Sequence, residues 1–150
     1  MARVAYAELQ DALGPSFTRP MLSVETSYVR DAGGDAYGLT LAAQTYEGDV
    51  LGACATSDKK STPEIVARSV ASELAAALNT SAPVDKHLAD QVVQLVCLAG
   101  GVSRVEVAEA TGHLETAVEV VRVFGLDAAV ERVGGRTWVA SKGLEGFGAR

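Results

Sequence analysis

The chain has 150 residues and a mass of 15.5 kDa, room for one ordinary domain or two very small ones and none for a large multidomain enzyme. Hydrophobic residues make up 48% of it and charged residues 21%, enough apolar material for a core and too much for a disordered chain. Lys and Arg number 13 against 19 Asp and Glu, for a net charge of −6 and a pI near 4.9; this excludes nucleic-acid binding by broad phosphate neutralisation, so any such role must rest on a local site.

Ala2–Leu13 has helical spacing, with Val4, Leu9 and Leu13 on one side and Gly14-Pro15 as its end. The start lacks the apolar run of a signal peptide. Met21–Val29 and Tyr37–Gln44 read as strands separated by the turn-rich Asp31–Asp35. Tyr46-Glu-Gly-Asp49 then precedes the apolar Val50–Ala55, which makes Tyr37–Ala55 a hairpin candidate. Ser61-Thr-Pro-Glu64 opens a helix with Ser61 and Glu64 as a capping box and Pro63 in the first turn. Val66, Val70, Leu74 and Leu78 recur on its buried side.

Asp85 is expected to cap the next helix, which runs to about Ala99 and stops at Gly100-Gly101. Its apolar side is read as Leu88, Val92, Leu95, Val96 and Ala99. Val102–Val107 is a short strand and His113–Phe124 a helix ended by Gly125. Ala128–Arg132 and Thr137–Ala140 flank Gly134-Gly135 as a closing hairpin, with Trp138 expected in its core. Runs of strands and helices of this kind predict an α+β fold, a two-layer sheet with helices on one face. Cys54 and Cys97 lie in apolar surroundings without metal-ligand spacing and read as buried free thiols in a reducing compartment. No stretch approaches the roughly 20 apolar residues that span a bilayer, so the expected location is the cytoplasm, with no membrane partner.

The chain has two histidines. His87, Asp90, Gln91 and Gln94 are spaced to share one helical face. A solvated polar stripe is the plainer account of such a face. Its content, an imidazole, a carboxylate and two amides in place of Lys and Glu, suits directed hydrogen bonds to a base or ribose edge. His113 follows Thr111-Gly112 at a helix start. A helix N-terminus disfavours added positive charge and offers N–H groups to phosphate, the setting in which an imidazole can attack a phosphoryl group. A surface cap is the plainer role for it. The glycine pairs lie outside any GxGxxG or GxxxxGK[ST] context, and no cluster of carboxylates, His or Cys marks a metal site.

The blocks Val84-Asp-Lys-His-Leu-Ala-Asp-Gln91, Leu98-Ala-Gly-Gly101 and Gly112-His-Leu-Glu-Thr-Ala117, from a run of about Tyr37 to Lys142, resemble the C-terminal half of the RNA 3'-terminal phosphate cyclases. The resemblance implies the cyclase fold for residues 36–150 and a remnant of the family's inserted small subdomain for residues 1–35. It implies an ATP-dependent enzyme that converts an RNA 3'-phosphate end to a 2',3'-cyclic phosphate through a histidine-AMP intermediate. His113 matches the adenylated histidine; His87 would stack on or edge the adenine, and Asp90 and Gln91 match nucleotide-contacting positions. ATP would come with Mg2+ or Mn2+. Glu115, Val118 and Glu119 depart from the family's usual residues, as does the segment Ser57–Thr62, which lacks its Gly-rich, basic character. Family members are also considerably longer, so the chain resembles a cyclase cut in two, which implies a truncated product, one subunit completed by an N-terminal half or by self-association, or a catalytically silent descendant. The rival reading takes Ser103–Arg122 and the Gly-Gly hairpin as a winged helix-turn-helix DNA-binding regulator; its recognition helix would carry Glu115 and Glu119 and only Arg122, a poor match for a phosphate backbone.

Overall fold

The computed structural model describes residues 1–14 and 36–144. The strand expected at Met21–Val29 and the turn after it lie outside the described residues. The fold is α+β, and the chain divides into two compact units, one of Met1–Thr45 with Leu51–Asn79 and one of Tyr46–Val50 with Thr80–Arg150.

In the first unit, α1 (Ala2–Leu13) ends at Gly14, whose φ of 58° turns the chain out of the helix. The paired strands β1 (Gly38–Gln44) and β2 (Val50–Thr56) form the predicted hairpin. Helix α2 (Pro63–Thr80) completes the unit. Ala5 and Leu9 of α1, Leu51 and Ala53 of β2, and Val66, Val70 and Leu74 of α2 share one core, so residues 1–14 are built into the same packing as the hairpin and α2. Strand alternation that turns Leu51 and Ala53 inward turns Cys54 out; the expectation that this thiol is buried is corrected.

The cap of α2 also differs from the capping box expected at Ser61. Thr62 caps the helix, its Oγ1 accepting from the N–H of Ile65 at 3.4 Å and its carbonyl from that of Val66 at 3.1 Å. Ser61 is engaged elsewhere: its N–H and hydroxyl donate to the Asp58 carboxylate, and its carbonyl accepts from the Tyr37 hydroxyl. The hydrogen bond from the Ser61 hydroxyl, with the N–H groups of Lys60 and Ser61, holds the Asp58 carboxyl below the usual carboxylate range.

In the second unit, α3 (Leu88–Leu98) leads to β3 (Ser103–Val107), α4 (Gly112–Val123) and the hairpin of β4 (Ala129–Val133) and β5 (Arg136–Ser141). The sheet order is β3-β5-β4, both pairings antiparallel. Gly134 and Gly135, with φ of 60° and 77°, make the tight turn between β4 and β5, which a side chain would strain at both positions. Val105, Val139 and Val130 lie in register across the sheet and pack beneath the helices, with Val93, Leu114 and Val118 above them. The opposite face carries Glu106, Trp138 and Glu131 in register. There Arg104 lies 4.2 Å from the Trp138 ring centroid and 3.0 Å from Glu131, while Arg136 pairs with Glu106 at 3.2 Å. Trp138 is therefore on the outer face beneath a guanidinium, and the core position of the hairpin belongs to its neighbour Val139.

Two expectations about this unit change. The buried side of α3 is Ala89, Val93, Val96 and Cys97, whereas Leu88 and Leu95 are exposed, at 40% and 68%. The core lies between the sheet and α4, about a third of a turn from the stripe that leucine spacing suggests. And Ser103–Val107 is a strand where a helix-turn-helix needs its first helix, so the winged-helix reading loses its frame.

Candidate functional site

Asp85 opens α3. It is 9% exposed, and its Oδ1 accepts from the N–H groups of His87 at 2.9 Å and Leu88 at 2.8 Å, the donors a helix start leaves without intrahelical partners. His87 stands at the cap position just before the first helical residue and is exposed. At α4 the cap is Thr111, whose Oγ1 accepts from Leu114 N–H at 3.2 Å. His113 follows in the first turn, also exposed.

Strand direction brings these two helix starts to one place. Val84 pairs in parallel with Val107 of β3, and β3 and β4, both antiparallel to β5, are parallel to each other. Helix α3 lies between Val84 and β3, and α4 between β3 and β4. Each returns the chain to the start of a parallel strand, so the two helices run the same way. Their N-terminal ends, with His87 and His113, stand at the carboxyl ends of Val84 and β3. The helices pack against each other, α3 over β3 and β5 and α4 over β4.

The flanks can be assigned. Cys97 Sγ donates to the carbonyl of Asp127, in the connection after α4, at 3.5 Å, so that side of α3 meets the chain that leaves α4. Burial raises the pKa of the Cys97 thiol, opposed by a hydrogen bond with Ser141. Asp90 lies two turns before Cys97 on the same flank and is half-buried. On α4, Glu115, Glu119 and Arg122 line an open groove of about 520 Å3 with Val130 of β4. The flank of α4 turned from that groove carries His113, Ala117 and Val120. Asp90 and His113 thus lie in the first turns of neighbouring helices that run the same way, with His87 at the start of α3. Gln91 is exposed and donates its side-chain amide to the His87 carbonyl at 3.4 Å, so it sits one row outward. Gln94 is exposed too.

One pair beside the site has no local sequence signal. Arg132 of β4 reaches Glu115 at 2.7 Å, seventeen residues away, on the groove side of α4. Among the described residues, no three His, Cys, Asp or Glu gather into a metal site, and no helix is long and apolar enough to cross a membrane.

The arrangement therefore offers an exposed imidazole at one helix start, and a half-buried carboxylate and a second imidazole with amide groups at the adjoining helix start. The family model described as RNA 3'-terminal phosphate cyclase matches residues 8–130, reaching further towards the N-terminus than the run of motifs and stopping earlier at the other end. An RNA 3'-terminal phosphate cyclase from Pyrobaculum neutrophilum is 36% identical over 122 residues, 81% of this chain and 35% of that protein. One from Halobacterium salinarum is 35% identical over 112 residues, 75% of this chain and 32% of that protein, and one from Pyrococcus furiosus is 44% identical over 78 residues, 51% and 20%. The chain spans about a third of the length of the first two relatives. With most of its length matched by the family model, the chain belongs to the RNA 3'-terminal phosphate cyclase family.

Proposed function

We propose that this chain carries the nucleophile and one wall of the nucleotide site of an ATP-dependent RNA 3'-phosphate cyclase, as the C-terminal part of that enzyme. The supporting observation is the placement of His113, exposed in the first turn of α4, beside the N-terminal end of the parallel helix α3 with His87, Asp90 and Gln91. An imidazole nitrogen of His113 attacks the α-phosphate of ATP; a P–N bond forms, the bond to the β-phosphate oxygen breaks, and pyrophosphate leaves. The phosphate passing this point lies near first-turn N–H groups, which favour its negative charge. AMP then moves from the imidazole to an oxygen of the RNA 3'-phosphate. The neighbouring 2'-hydroxyl attacks that phosphorus, AMP departs, and the 2',3'-cyclic phosphate closes. His87 stacks on or edges the adenine, while Asp90 and Gln91 hydrogen-bond the nucleotide.

Mg2+ or Mn2+ is the expected companion of ATP. The described residues build no three-ligand site for it. A hydrated divalent cation carried on the triphosphate needs few protein ligands. The remaining contacts to ATP and to the RNA end are proposed to come from polypeptide equivalent to the two thirds of the family not spanned here, supplied by a partner chain or by self-association. The cytoplasm, where free thiols such as Cys54 and Cys97 persist, is the proposed location.

The test is incubation with ATP labelled at the α-phosphate and Mg2+, with the chain alone and with the unmatched portion of the Pyrobaculum neutrophilum relative added. An acid-labile protein adduct in either arm, abolished by His113→Ala, is expected. No adduct in either arm would sink the adenylation reading in favour of a catalytically silent cyclase-like chain.

A further inference from the structure

Two adjacent residues tie the two histidine-bearing helix starts together. The carbonyl of Val84 accepts from the N–H of Ala108 at 2.8 Å, at the beginning of the connection that leads through Thr111 to His113. Val84 also bridges to Val107 of β3. The next residue, Asp85, holds the N–H groups of His87 and Leu88 with its carboxylate and that of Ala89, at 3.0 Å, with its carbonyl. The path from His87 to His113 thus runs through hydrogen bonds at both ends of one dipeptide. Asp85 is the member whose side chain does the holding, and it is buried where most carboxylates are exposed.

On the strength of the proposed nucleotide site, we infer that Asp85 is a positioning residue for the nucleoside end of that site. It fixes the first turn of α3, and with it His87 and Asp90, against the start of the α4 connection. It does not touch the reacting phosphate, which belongs to the α4 end, where Thr111 supplies an independent cap. Loss of Asp85 should therefore weaken recognition of the base and ribose while sparing recognition of the phosphates. A purely structural cap would lower both together.

The experiment compares binding of ATP and of tripolyphosphate to the full chain by amide chemical shifts. Wild type, Asp85→Ala and Asp85→Asn are examined under the same salt and Mg2+ concentrations. In Asp85→Ala, ATP affinity should fall about five- to tenfold, the scale of one lost cap, with tripolyphosphate affinity unchanged. Asp85→Asn, whose amide oxygen can accept the same two N–H groups, should restore ATP binding. It also serves as the folded control, together with a thermal melt, if the alanine variant does not fold. Equal losses for ATP and tripolyphosphate in Asp85→Ala, or an Asp85→Asn variant that is folded yet binds ATP no better than the alanine variant, would overturn the positioning role and leave the nucleotide site standing. A wild-type chain whose His87, Asp90 and His113 amides ignore ATP both alone and with the unmatched portion of the Pyrobaculum neutrophilum relative added would overturn the nucleotide site itself, and the role of Asp85 with it; where binding needs that portion, all three variants are compared in its presence.

Discussion

Residues next to the histidines set how firmly the site is held. Leu114, fully buried directly after His113, anchors the first turn of α4 from below, so Leu114→Ala should cost about 2–5 kcal/mol in a urea melt, through lost burial and the cavity left behind. Thr111→Ala removes only the cap and should cost about 1 kcal/mol, a difference large enough to separate anchoring from capping at the same helix start. The two thiols should react differently as well. Cys54 is exposed and Cys97 buried, with burial holding the Cys97 thiol in its protonated form to higher pH. A thiol-labelling time course of the native chain should show one fast site and one slow site that becomes fast only in denaturant; equal rates for both would contradict the packing of α3. His87, Asp90 and His113 were legible as candidates because their types are unusual at their spacings. The partner of Glu115 was not, because Arg132 reaches it from another element and no local periodicity records that.

Elements with strong end signals were readable to within a residue or two. Helix α1 is bounded by Gly14, and the β4–β5 hairpin is set by Gly134-Gly135. What misled was the choice of face on α3. Leu88 and Leu95 are larger than Ala89 and Val93, yet the smaller residues are the buried ones, because they lie on the side that joins the core shared with the sheet and α4. A similar exchange occurs at the α2 start, where Thr62 caps because Asp58 has already engaged Ser61. That turn predicts a pH effect. The Asp58 carboxyl is depressed in the folded chain by the Ser61 hydroxyl and nearby N–H groups, so its contribution is present above the ordinary carboxylate range and is lost as pH falls through the lower, folded value. Stability measured from pH 6 downward should therefore fall less steeply in Asp58→Asn than in wild type, about the acidic range in which carboxylates titrate; identical slopes would show that the turn does not contribute. Just after β5, a Cβ on Gly143 would collide with the backbone carbonyl of Ala99, at a φ of +70°. Gly143→Ala should accordingly destabilise the second unit by about 2 kcal/mol or more, from backbone strain and overpacking together, read as a lower denaturation midpoint.

At the scale of the molecule, the second unit alone carries the proposed nucleophile, the half-buried carboxylate Asp90 and the second imidazole, through the parallel run of α3 and α4 over one sheet. The net charge of −6 and the ion-paired arginines Arg104, Arg122, Arg132 and Arg136 leave little basic surface on this unit for an RNA backbone. That fits a chain spanning about a third of its relatives' length, with phosphate-neutralising contacts proposed to lie in the part it does not span. In the proposed reaction His113 forms the bond to AMP. The most direct measurement is tandem mass spectrometry of the chain after incubation with ATP and Mg2+, alone and with the unmatched portion of a relative, under conditions that preserve phosphoramidates. The account predicts an added AMP on the peptide containing Gly112-His113-Leu114, localised to the imidazole; AMP found on another residue, or on none in either incubation, would contradict it.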